Sequence, residues 1–318
     1  MKKNYLCLLV AGVISSFIVA GCGGGGDGSS SGTGGTSATA GNPATPATPV
    51  SSASAPVVAS TPVVAQPASA PVASSQPVTV GEAMPSLQTP QAGSTAASAN
   101  DPTGIWSVST AVPRNTTIAL VDPHNNLTTL NVTGSIPMSS DFTNLAVTGN
   151  AWSISSGINF NVMTGFTTKI GNSTGTYSAK QTLSGSLNRG GTASNFTWKY
   201  NAENALAVTQ ASVAGTWATS GASFTVGSDG TVSGTLSGCN MSGTVRLSTP
   251  GSDQNMYDMT LSAAASTGCK LPAGIPVFGN AAILFVPING SNGFQRSILY
   301  VLHSADYGYV AYGQIIKQ

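Results

Sequence analysis

The stretch Ser223-Phe224-Thr225-Val226-Gly227-Ser228-Asp229-Gly230-Thr231-Val232-Ser233-Gly234-Thr235-Leu236 decides the fold class. Polar and apolar residues alternate on both sides of Gly227–Gly230, the two-residue period of a half-buried strand. The four central residues carry turn chemistry, because Gly and Asp tolerate positive φ. The stretch therefore reads as an antiparallel hairpin. Working outward, similar runs recur at 216–219, 242–248, 256–263, 280–286, 297–303 and 309–317. With the hairpin's own strands, 223–226 and 231–236, they make about eight strands, which suits a small up-and-down barrel or a sandwich.

Upstream, runs at 116–121, 158–163, 176–187 and 192–200 have the same character. Gly104-Ile105-Trp106 opens this region as Gly215-Thr216-Trp217 opens the next, 111 residues later. The expected architecture is all-β: a first antiparallel lobe over 101–206 and a second over 207–318. The single helical signal is Glu203–Ala211, after a candidate cap at Asn201.

Residues 22–100 read as a disordered linker. Among residues 23–100 only Asp27 and Glu82 are charged, no aromatic ring occurs, and Ala-Pro-Val units recur loosely. Such a segment buries too little apolar surface of its own to offset its ordering entropy. As a flexible coil it would span about 45–50 Å on average, and fully extended roughly 240 Å.

Charged residues are 7% of the chain, against about 25% in ordinary globular proteins. The net charge of +1 gives no electrostatic case for nucleic acid. Polarity is carried by Ser, Thr, Asn and Gly instead.

The first residues combine Lys2 and Lys3 with an apolar run from Leu6 to Ala20, ending in Val19-Ala20-Gly21-Cys22. The run is about 15 residues, too short to span a bilayer as a helix. This start resembles the signal peptide and lipobox of bacterial lipoproteins. The resemblance implies cleavage after residue 21, acylation of Cys22, and a membrane partner engaged through the N-terminal lipid. Gly23 in place of Asp implies, by the enterobacterial sorting rule, the outer membrane. The plan as a whole resembles tandem-β-lobe lipoproteins of Gram-negative proteobacteria. The Cys22–Gly26 opening is also similar to that of surface lipoproteins that capture host proteins. Phe224, Asp229–Gly234 and Gly238-Cys239-Asn240-Met241-Ser242-Gly243 resemble the central signature of META-type lipoprotein domains. None of these resemblances brings a catalytic residue with it.

Cys7 leaves with the signal peptide, so Cys239 and Cys269 remain. An even pair in an oxidising compartment reads as one disulfide. No metal site or cofactor is expected: the chain holds two histidines, His124 and His303, and no Cys-x-x-Cys. Asp122-Pro123-His124 and His303-Ser304-Ala305-Asp306 bring catalytic residue types close in sequence, but neighbouring side chains point in different directions, and no Gly-x-Ser-x-Gly elbow is present. Asp122, Asn125 and Asn126 suit a turn as well as calcium. Trp106, Trp152, Trp198 and Trp217 read as core. Tyr307 and Tyr309 share a parity near the C-terminal hairpin and are the candidate partner-binding residues. The expected function is a non-enzymatic binding or structural module at the cell envelope, engaging a surface, host or envelope partner. The alternatives are a carrier of a small apolar ligand in the second barrel, or an envelope-acting enzyme or inhibitor using His124 or His303.

Overall fold

Both lobes close into antiparallel barrels in the computed structural model, which describes residues 80–110, 114–269 and 271–318. Cys22 and the segment up to residue 79 lie outside the described residues. The first lobe contains β1 (Gly104–Ser109), β2 (Asn115–Val121), β3 (Asn126–Thr133), β4 (Ile136–Asn144), β5 (Ala146–Thr148), β6 (Ala151–Ile154), β7 (Gly157–Asn161), β8 (Thr167–Ile170), β9 (Ser173–Ser178), β10 (Thr182–Arg189) and β11 (Thr192–Tyr200). The second contains β12 (Gly215–Thr219), β13 (Ala222–Val226), β14 (Thr231–Leu236), β15 (Cys239–Leu247), β16 (Tyr257–Ala263), β17 (Pro276–Pro287), β18 (Phe294–His303) and β19 (Val310–Lys317).

The second barrel runs β12 through β19 in sequence order and closes through Trp217↔Lys317 and Ala218↔Ile316. The expected hairpin is β13–β14, and its burial alternates strictly in β13. Trp217, Phe224, Met241, Met259, Ile283 and Tyr300 fill the interior. Cys239 and Cys269 form a disulfide that ties the start of β15 to the β16–β17 connection.

The first barrel has the ring β1-β2-β3-β4-β7-β8-β10-β11. β9, β6 and β5 extend from the free half of β10 as a flap. The β8–β10 seam is thin, with a single registered pair, Arg189↔Ile170. Apolar side chains fill one half of this barrel, where Phe196 stacks between Trp152 and Trp198. The other half is polar. Arg189 Nε and Nη2 donate to the Asp141 carboxylate at 2.8 and 2.6 Å, and Thr129 and Asn159 donate to the same group at 2.7 and 2.8 Å.

The outer faces of the two barrels meet. Ile105, Leu120, Leu130, Phe142 and Phe160 of the first barrel pack with Ala282, Leu284, Leu299, Val301 and Tyr312 of the second. This contact explains the long fully buried runs of β17 and β18. One face fills the barrel and the other meets its neighbour.

Two expectations are corrected. Residues 80–100, assigned to the linker, form an arm packed across both lobes. Met84 lies on the core of the second barrel, and Leu87 and Ala96 on that of the first. The amide of Ala207 donates to Gln91 Oε1 at 2.8 Å, that of Asn255 donates to Thr95 Oγ1 at 3.1 Å, and Glu82 forms an ion pair with Arg296. The arm has no core of its own and borrows those of the barrels, which its composition alone does not reveal. The helix expected over 203–211 is instead two 3₁₀ turns, Ala202–Ala205 and Gln210–Val213. The chain between them is pulled straight by bonds from the amides of Ala207 and Val208 to Gln91 and Asp253.

Candidate functional site

A cleft of about 880 Å³ opens between the outer faces of the two barrels, within the size range of small-molecule sites. It receives both histidines of the chain. One wall comes from the first barrel, through the β2–β3 turn and the β4, β7 and β8 strands. The other comes from β16, β17 and the β18–β19 turn.

The floor is a polar bridge between the lobes. Asp122, buried at the end of β2, accepts bonds from the amides of His124 and Asn126 at 2.8 and 2.9 Å, and from Asn126 Nδ2 at 2.8 Å. Asn280 on β17 donates to the same carboxylate at 3.2 Å and accepts from Thr128 Oγ1 at 2.9 Å. Asn125 adopts a positive φ of 63°. The Asp122–Asn126 segment is thus a side-chain-braced turn in which the carboxylate oxygens are taken by four donors.

His303 ends β18 inside an aromatic box. Its ring centroid lies 4.3 Å from Tyr307, nearly parallel at 13°, and 4.6 and 4.7 Å from Phe142 and Phe278. Nδ1 is 2.9 Å from the carbonyl of Ser304. A carbonyl can only accept, so Nδ1 carries the proton and Nε2 presents a lone pair. Burial pushes the His303 pKa below its usual value, opposed in part by the Ser304 bond.

Ser304 and Asp306, adjacent to His303 in sequence, serve the turn. The Ser304 hydroxyl donates to Asp306 at 2.8 Å and accepts from the Tyr309 amide at 3.0 Å, while Asp306 also accepts from the Gly308 amide at 3.0 Å. They do not assemble a nucleophile, base and acid around His303. Among the described residues, no group of three or more His, Cys, Asp or Glu side chains could hold a metal ion. No helix among them is long and apolar enough to cross a membrane.

Tyr307 and Tyr309 do not form one exposed face. Both precede β19, and Tyr307 has a φ of 55°, so strand parity does not apply. Tyr307 lines the cleft, whereas Tyr309 packs against the core of the second barrel. All four tryptophans are buried.

Phe278, Phe142, Lys169 and Asn280 also line the cleft, and sequence reading missed them. Phe278 lies in β17 four residues before Ala282, whose side chain faces the other barrel. The alternation Phe278-Asn280-Ala282 was the available signal. It is informative only once the outer face of β17 is known to meet a second barrel. No family model, curated protein or solved structure matches this chain.

Proposed function

We propose that the protein is a lipid-anchored, non-enzymatic binding module of the outer membrane, and that the inter-barrel cleft is its binding site. The observation that carries this reading is the cleft itself: an open, mixed aromatic and polar site built jointly by two barrels whose interiors are already filled. The occupied interior of the second barrel speaks against an apolar ligand carried there. The use of Ser304 and Asp306 in the turn speaks against an acid–base set at His303. The anchor rests on the lipobox-like Val19–Cys22 and on Gly23. The partner is an envelope or surface component reached from the tether.

Two measurements test this. Wild-type protein should fractionate with the outer membrane and take up acyl label, and Cys22→Ser should do neither. The full chain carrying Cys22→Ser should bind isolated cell envelopes saturably, and adding Phe278→Ala with Tyr307→Ala should weaken that binding at least about tenfold. Equal binding by the cleft variant would remove the cleft from the function. Turnover of envelope material, abolished by His303→Ala, would make the protein an enzyme.

A further inference from the structure

The geometry points to an uncharged glycan as the ligand of the inter-barrel cleft, with the ring of Phe278 as the platform on which one sugar ring lies. This rests on the reading of the cleft as the binding site. Six large apolar side chains among the described residues are substantially exposed: Val80, Ile136, Met163, Phe166, Ile275 and Phe278. Only Phe278 lines the cleft, and it is 39% exposed there. An aromatic face carries partial negative charge and attracts the weakly positive C–H groups on one face of a pyranose.

The rim matches the other half of a sugar, its ring of hydroxyls. His303 offers Nε2 as an acceptor, its ring held by Tyr307 and by the Nδ1 bond to Ser304. Asn144 reaches the rim with its amide, fixed through Nδ2 to the carbonyl of His124 at 3.0 Å, which leaves Oδ1 turned away from that bond. Such planar, pre-oriented groups select among hydroxyl positions at low entropic cost.

Charge decides between glycan classes. The four groups that donate to Asp122 are themselves uncharged, so the lining sets two carboxylates, Asp122 and Asp258, against one lysine, Lys169. The box around His303 is occupied by the imidazole itself, so it is not a cage for a cation. An anionic polymer would need a cluster of Lys or Arg, and the lining holds one lysine.

The test uses the full chain carrying Cys22→Ser on a printed library of neutral and acidic bacterial and host glycans. Three proteins are compared: this chain, the same chain with Phe278→Ala, and the same chain with Phe166→Ala as an exposed aromatic outside the cleft. Each is checked by thermal melting. The expected result is binding to neutral glycans, lost at least tenfold with Phe278→Ala and retained with Phe166→Ala. Absence of any glycan signal, a preference for acidic glycans, or equal loss in both aromatic variants would overturn the assignment. If Phe278→Ala and Tyr307→Ala abolish envelope binding while no glycan binds, the cleft stands and the ligand class falls. If those substitutions leave envelope binding intact, the cleft reading falls first.

Discussion

At the residue scale, two buried carboxyl groups and the half-buried His303 make differing predictions. Burial alone would raise the Asp141 pKa, but the Arg189 guanidinium and the Thr129 and Asn159 bonds reverse that and hold it below the usual value. Asp141 therefore contributes stability above its unfolded pKa, and loses it as pH falls through the lower folded value. Asp141→Asn should cost about 3–5 kcal/mol at neutral pH, because it strands the Arg189 charge. Urea melts at neutral pH measure this, and a cost under about 1 kcal/mol would show that the pair is dispensable. Glu203 behaves in the opposite way. Burial raises its pKa, against the pull of its own amide and that of Phe285. Its contribution is present below the unfolded pKa and is lost as pH rises through the folded value. Glu203→Gln should match wild type in acid and exceed it in stability at neutral and higher pH, and melting curves across pH should diverge in that direction. His303, a base with a lowered pKa, adds stability that falls as pH drops below its unfolded value.

Elements differ in how much of them the sequence reveals. The second barrel was legible as eight strands because β13 and β14 have one face in the core and one in water, so their side chains alternate. In the first barrel the alternation is partly inverted. Leu130 and Phe160 face outward against the other barrel, while Thr129 and Asn159 face inward to Asp141. The run at 158–163 was legible as a strand and is β7, but read without the partner surface β3 has no core side, and β4, β5, β6 and β8 pass for loops. The run expected as one strand over 176–187 breaks between β9 and β10 at Lys180, which has a φ of 60°. The cleft was legible only as Asp122, Asn126, two histidines and Tyr307, scattered along the sequence, since its depth comes from the meeting of two barrels. The disulfide belongs to this scale too. It closes a separation of 30 residues, so replacing both cysteines by Ala should cost about 3–4 kcal/mol. Chemical denaturation measures that, and an unchanged midpoint would refute it.

For the whole molecule, the apolar contact between the lobes predicts shared cooperativity. Residues of both barrels belong to one buried cluster, so neither can unfold without exposing the other. Calorimetry should give a single transition. Leu284→Asp places an unpaired charge at the contact and should lower stability by more than about 3 kcal/mol. Two separated transitions in the wild type would show that the lobes are energetically independent. The arm predicts that limited proteolysis leaves a core beginning near residue 80, and a core beginning near residue 100 would contradict its packing. The shared openings also have a structural counterpart. Trp106 and Trp217 are both fully buried and both donate Nε1 to the carbonyl four residues earlier, Pro102 and Val213, at 2.9 and 2.7 Å. The same lock starts two eight-stranded rings, as expected if one barrel arose as a copy of the other.

The arm has a mechanical consequence. Tension applied through the chain before residue 80 meets the Val80–Ser291 hydrogen bonds first, then the Glu82–Phe294 bridge and the Glu82–Arg296 ion pair. Met84, Leu87, Gln91 and Thr95 follow in order, so the load peels contacts one by one instead of shearing a whole strand at once. About 20 residues released in this way span at most roughly 70 Å at 3.3–3.6 Å per residue. The barrels keep their hydrogen-bonded rings meanwhile. The arm thus lies in series between the preceding chain and the fold, so its contacts are loaded before the barrel strands are.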